Sequence, residues 1–90
     1  MEQSLEQQIK QRLVETLELG IGPDKIDDLL PLFGAGLGLD SVDALEVSAM
    51  LSLHFNVEIA DREAAKEILA NVGAIARFIR QQQQQPPLAH

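Results

Sequence analysis

The sequence predicts an all-α fold: a four-helix bundle with three main helices, a short third helix and a long loop between helices one and two. Apolar residues recur at intervals of three and four, which is the spacing of one helix face. Residues that favour helix N-caps stand before four such segments: Ser4, Asp40, Asp61 and Asn71. No segment alternates apolar and polar residues for long enough to indicate a strand.

The first helix is predicted to begin at Ser4, where Gln7 stands three residues on as in a capping box. Gly20 is predicted to end this helix as the residue after its C-cap, with Gly22-Pro23 just beyond. The apolar stripe of the helix consists of Leu5, Ile9, Leu13, Val14 and Leu17. One polar face and one apolar stripe predict a helix at the surface of the bundle.

Residues 20–40 form the long loop. Pro23 is tolerated at a first helical position, so a short helical turn is predicted over residues 23–28. Gly34, Gly36 and Gly38 permit close turns and positive φ angles. Four residues are too apolar for a solvated loop, and some should pack into the core: Leu29, Leu30, Leu32 and Phe33. A structured loop of this length usually has a function.

The second helix is predicted from about Ser41 to Phe55, with Asn56 as its stop. Asp61 should cap a short third helix over residues 62–68.

Asn71 should cap a fourth helix that runs from Val72 to about Arg80. Residues 81–90 are rich in Gln and Pro, which predicts a disordered tail. The domain is therefore predicted to span residues 1–80.

Composition restricts the classes of function. The chain has 90 residues and a formal net charge of −7, which argues against nucleic-acid binding and favours protein partners with basic patches. It has no Cys, so it has no disulfide framework. No signal peptide follows Met1 and no apolar run reaches membrane-spanning length. We therefore expect a soluble, cytoplasmic monomer.

Ser41 is the one residue whose surroundings suggest chemistry. Asp and Ser before a helix usually do no more than cap it, so the default interpretation of Asp40-Ser41 is structural. However, a helix N-terminus offers unpaired N–H groups and positive potential that suit a phosphate. Ser41 has no neighbouring His or Lys to act as a base. Its hydroxyl therefore fits a substrate of another enzyme better than a catalyst.

The residues around Ser41 resemble the attachment site of acyl carrier proteins. Phe33 and Leu37 lie eight and four residues before Ser41, and residues 38–41 are similar to the family's G-x-D-S motif. Further matching positions follow Ser41: Asp43, Glu46, Leu51 and Phe55. The segments 55–61 and 72–79 also look like the family's, so the resemblance spans roughly residues 4–80.

The resemblance implies that Ser41 carries a 4'-phosphopantetheine arm, attached by a phosphopantetheinyl transferase. The thiol of the arm would hold acyl groups as thioesters for enzymes of the acyl synthetase, ketosynthase or acyltransferase type, in lipid or polyketide-type biosynthesis. The protein itself would not be an enzyme. The resemblance also implies contacts with the transferase and partner enzymes at Asp40, Val42, Leu45 and Glu46.

Two features depart from the family pattern. Ala60 stands where the family usually has Pro before the third helix. Compared with the fatty-acid carriers that this chain resembles, the interval from Asp61 to Val72 is also about two residues longer. Both departures concern the geometry of the third helix and not the site at Ser41.

The second helix is less acidic than in fatty-acid carriers, because no Asp or Glu occurs from Val47 to Phe55. At about 100° per residue, its core face consists of Ala44, Val47, Ser48, Leu51 and Phe55. The opposite side consists of Val42, Leu45, Glu46, Ala49, Met50 and Leu53. Met50 and Leu53 either are covered by loop residues or form an apolar docking surface for dedicated partners, with Asp43 and Glu46 steering the encounter.

Three functions remain open at this point. The first is a discrete acyl carrier, and residues 31–46 also look similar to carriers of aryl-polyene-type or other specialised lipid pathways rather than the general fatty-acid one. The second is a carrier-like bundle that is never modified and serves only as a protein interaction module. The third, an enzyme, lacks any catalytic pair.

Overall fold

The computed structural model describes residues 3–84 and contains four α-helices. Their bounds are Leu5–Leu17 (α1), Ser41–Phe55 (α2), Arg62–Ile68 (α3) and Val72–Gln84 (α4). A 3₁₀ turn at Pro23–Lys25 lies in the long loop, where a helical turn was predicted. Within residues 3–84 the only strand-like pairing is a single parallel bridge between Phe33 and Leu39. The predicted all-α bundle is therefore confirmed.

The helices pack around one aliphatic core. Helix α1 contacts both α2 and α4, and α3 contacts α4. The core side chains with no exposed surface are Ile9 and Leu13 of α1, Leu32 of the loop, Val47 and Leu51 of α2, and Val72, Ile75, Ala76 and Ile79 of α4. The apolar spacing in the sequence thus identified Ile9 and Leu13 on the buried face of α1, and Val47, Leu51 and Phe55 on that of α2.

Three predicted N-caps form as expected. In each, the side-chain oxygen of the cap accepts a hydrogen bond from the backbone N–H three residues on, over 2.7–3.1 Å: Ser4 from Gln7, Asp61 from Ala64, and Asn71 from Ala74. Each bond satisfies one of the N–H groups that the first helical turn leaves without a partner.

Two helix ends differ from the prediction. Helix α1 ends at Leu17 and its C-cap is Glu18, with a left-handed φ of 50°; Gly20, the predicted end, lies two residues beyond this cap and has a φ of 73°. Beyond the cap, Leu19 packs against the core and its N–H donates to the Val14 carbonyl over 3.2 Å. Helix α4 continues to Gln84, four residues past Arg80, because glutamine is a good helix former. Residues 81–84 of the predicted disordered tail are thus helical, and the rest of that tail, residues 85–90, lies outside the described residues.

The long loop is anchored to the helices by apolar side chains. Leu32 is buried and both Leu30 and Phe33 pack against the core, whereas Leu29 is 74% exposed. Part of the apolar loop segment therefore fills the core, as the sequence predicted.

Backbone and charge contacts also hold this loop. The Leu32 N–H donates to the Ala70 carbonyl over 3.0 Å, just before α4 begins. The Asp28 carbonyl accepts from the Gly73 N–H over 2.9 Å, and the Asp28 carboxylate lies 2.7 Å from the Lys10 ammonium of α1. The loop is thus tied to both α1 and α4.

Among the described residues, no helix is both long and apolar enough to cross a membrane.

Candidate functional site

The segment before Ser41 folds back on itself. The Leu37 N–H donates to the Pro31 carbonyl and the Leu39 N–H to the Leu32 carbonyl, both over 3.0 Å. Gly36 is essential to this close approach, because a Cβ at that position would lie 1.7 Å from the Pro31 carbonyl oxygen. Leu39 is only 8% exposed and packs into the core. The backbone is therefore fixed two residues before Ser41.

Asp40 and Asp43 hold the start of α2 in a reciprocal capping box. Asp40 Oδ1 accepts from the Asp43 N–H, and Asp43 Oδ2 accepts from the Asp40 N–H, each over 3.0 Å. Sequence reasoning placed Asp40 as an N-cap but missed the reciprocal bond from Asp43. The signal was an acid three residues after an N-cap residue, although this position is more often Glu or Gln than Asp.

Ser41 is the first residue of α2 and is exposed. Within residues 3–84, no hydrogen bond uses the backbone N–H of Ser41 or Val42, so both remain available at the positive end of the helix. The charged residues nearest in the chain are Asp40 and Asp43, which the capping box holds. A serine hydroxyl without a base is not activated as a nucleophile. The geometry leaves this hydroxyl exposed at the positive end of α2.

The residues predicted to contact partners do not all lie at the surface. Val42, Leu45 and Leu53 are 63%, 72% and 79% exposed, and Glu46 is exposed as well. Met50 is only 3% exposed, so its predicted place on the partner-facing side is wrong.

Met50 is buried because the core covers a wider arc of α2 than the predicted core face. It is three residues after Val47 and directly before Leu51, both of which have no exposed surface. An unbranched, flexible thioether at the edge of such a face can bend into the core. Leu53, three residues further on, remains uncovered.

The comparisons with known proteins agree with this geometry. Residues 7–79 match the family model described as a phosphopantetheine attachment site. The chain is also 38% identical over 71 residues to the acyl carrier protein of Wolinella succinogenes. The aligned region covers 79% of this chain and 87% of that protein. These matches define a phosphopantetheine-binding protein. The chain belongs to the acyl carrier protein family. Members of this family are carriers, not catalysts.

Family membership implies a 4'-phosphopantetheine prosthetic group, and the residues at the start of α2 fit one. Its phosphate would lie at the positive end of α2, where two backbone N–H groups are available. The Ser41 hydroxyl that would carry the phosphate is exposed. Among the described residues there is no cluster of three or more side chains that could hold a metal ion.

Proposed function

We propose that this protein carries acyl intermediates as thioesters on a 4'-phosphopantetheine arm attached to Ser41, and delivers them to enzymes of lipid or polyketide-type biosynthesis. The observation that supports this most is the exposed hydroxyl at the first residue of α2, held between the two acids of the capping box. It lies within the residues that match the phosphopantetheine attachment family.

The attachment requires another enzyme. A phosphopantetheinyl transferase would supply the base and hold the Mg²⁺. The Ser41 Oγ would form a bond to the phosphorus next to the pantetheine of coenzyme A. The bond from that phosphorus to the nucleotide would break, and the serine proton would pass to the transferase. Once bound, the arm supplies a thiol that holds the acyl group.

The partners follow from the same proposal. The acids near Ser41 would steer cationic surfaces of the transferase and of acyl synthetases, ketosynthases or acyltransferases toward the start of α2. We expect the protein to act as a monomer in the cytoplasm, because each partner needs access to the same helix end and because coenzyme A is the donor of the arm.

Intact-mass measurement after incubation with coenzyme A and a broad-specificity transferase tests the assignment of Ser41. The wild type should gain one phosphopantetheine and Ser41→Ala should gain none. Ser52→Ala is the matched control, since Ser52 is an exposed serine on the same helix, and it should gain one arm. A gain that persists in Ser41→Ala would refute the assignment. A wild type that stays unmodified, while the same transferase loads another carrier, would favour the unmodified interaction module.

A further inference from the structure

The solvent-facing side of α2 carries an apolar stripe that begins next to Ser41. The stripe consists of Val42, Leu45, Ala49 and Leu53. All four are exposed, and intervals of three and four residues place them on one helix face. Of the five exposed large hydrophobic residues among residues 3–84, three belong to this stripe. At a rise of 1.5 Å per residue the stripe is about 16 Å long.

Packing within the described bundle does not account for this stripe. Helix α2 already buries a separate apolar face, with Val47 and Leu51 fully covered and Phe55 8% exposed. A single exposed leucine needs no explanation, but a continuous apolar face on a small domain is characteristic of an interaction site.

Charge is distributed unevenly along the stripe. Asp40, Asp43 and Glu46 all lie at its Ser41 end, and no acid occurs in α2 after Glu46. The only titratable side chain in the second half of the helix is His54. The residues of α2 that border the stripe are therefore acidic where an arm on Ser41 would leave the protein. They carry no acid along the rest of the stripe.

We infer that the stripe docks on acyl-accepting enzymes whose surface is cationic only beside the entrance for the arm and apolar over the next ~16 Å. This inference rests on the proposed function at Ser41. The acids would accelerate encounter, and Leu53 would anchor the complex by burial. A second copy of the chain is a poorer occupant, because both copies carry a net charge of −7 and the acidic ends would repel.

Steady-state kinetics with two acyl-accepting synthases of known structure test the inference. One synthase has a docking surface that is basic along its whole length, and the other is basic only beside the arm entrance and apolar beyond it. The loaded protein should show an apparent KM lower by about tenfold or more on the second synthase. Leu53→Ala should raise that KM by about tenfold or more, because it removes three carbons that the complex would bury. Leu53→Glu should raise it further and lower the KM on the first synthase.

Leu29 provides the matched control. It is 74% exposed, as Leu53 is 79% exposed, but it lies in the loop and not on α2. Leu29→Ala and Leu29→Glu should leave the KM on both synthases unchanged. Circular dichroism and the thermal midpoint should show that all four variants fold, since neither leucine is in the core. If Leu53→Glu fails to fold, Leu53→Ala alone decides the result.

Two results would overturn the inference. The first is equal KM values for the Leu53 and Leu29 variants on the second synthase. The second is a wild-type dimer in sedimentation that Leu53→Glu dissociates, because a second copy would then cover the stripe. The Kd of the unloaded protein for the same synthase is measured as well, so a failure of attachment at Ser41 and a failure of docking at Leu53 appear in different measurements.

Discussion

At the scale of single residues, the two acids beside Ser41 have a structural role that their charge alone does not reveal. Each uses one carboxylate oxygen in the capping box, Oδ1 of Asp40 and Oδ2 of Asp43. Their other oxygens take part in no hydrogen bond within residues 3–84. Both acids can therefore orient the start of α2 and still present negative charge to a partner.

Substitution of Asp43 tests its structural role. Asp43→Ala should lower the free energy of unfolding by about 1 kcal/mol, because the Asp40 N–H loses its acceptor. Asp43→Asn should lower it less, since an amide oxygen can still accept that bond. Urea unfolding at neutral pH measures both values. If Asp43→Ala is as stable as the wild type, the reciprocal bond contributes nothing.

At the scale of elements, the loop that enters α2 depends on one close backbone approach. Gly36 lies so near the Pro31 carbonyl that no side chain fits there, whereas Gly34 has a positive φ of 67° and open space around it. The two glycines are required for different reasons, one steric and one conformational.

Alanine substitutions separate these two reasons. Gly34→Ala should lower the free energy of unfolding by about 1 kcal/mol, the approximate cost of a left-handed non-glycine residue. Gly36→Ala should lower it by more than about 2 kcal/mol, because the loop must move to relieve the overlap. It should also slow attachment at Ser41, since the same loop positions the start of α2. Urea unfolding and the rate of mass gain check these results; equal losses would contradict the steric argument.

At the scale of the whole molecule, an ion pair joins the start of α1 to the last helix. Arg80 donates two hydrogen bonds to Glu6, each of 2.9 Å, and their side chains are 49% and 23% exposed. These hydrogen bonds are the largest cause that lowers the pKa of Glu6 below its ordinary value of 4.5. The pair connects residues 74 positions apart in the sequence.

This ion pair predicts a dependence of stability on pH. Because the pKa of Glu6 is lower in the folded state than in the unfolded state, its stabilising contribution is present above the ordinary value of 4.5. The contribution is lost as the pH falls through the lowered value. Arg80→Gln should therefore reduce the thermal midpoint at pH 7, and should reduce it less in strong acid.

Arg77→Gln is the matched control for this experiment. Arg77 is an exposed arginine on the same helix that forms no ion pair among the described residues. Its substitution should change the midpoint little at either pH. A loss for Arg80→Gln that is the same at both pH values would show that packing of its side chain, and not the charge of Glu6, accounts for the effect.

The sequence by itself determined where most helices begin and which residue is the first of α2. Asp61 and Asn71 cap the helices that they were predicted to cap, α2 spans Ser41–Phe55 as predicted, and Ser41 stands at its first residue. Capping and helix periodicity depend on residues three or four positions apart, so a local pattern is enough to predict them.

Only the tertiary structure decided which apolar side chains are covered. Met50 and Leu53 belong to the same helix and the same predicted face, yet one is 3% and the other 79% exposed. The pairing of Glu6 with Arg80 and the packing of Leu19 against the core likewise depend on contacts between distant segments. Helical spacing assigns a residue a direction around its own helix, but packing against the rest of the chain determines whether that direction leads into the core or into solvent.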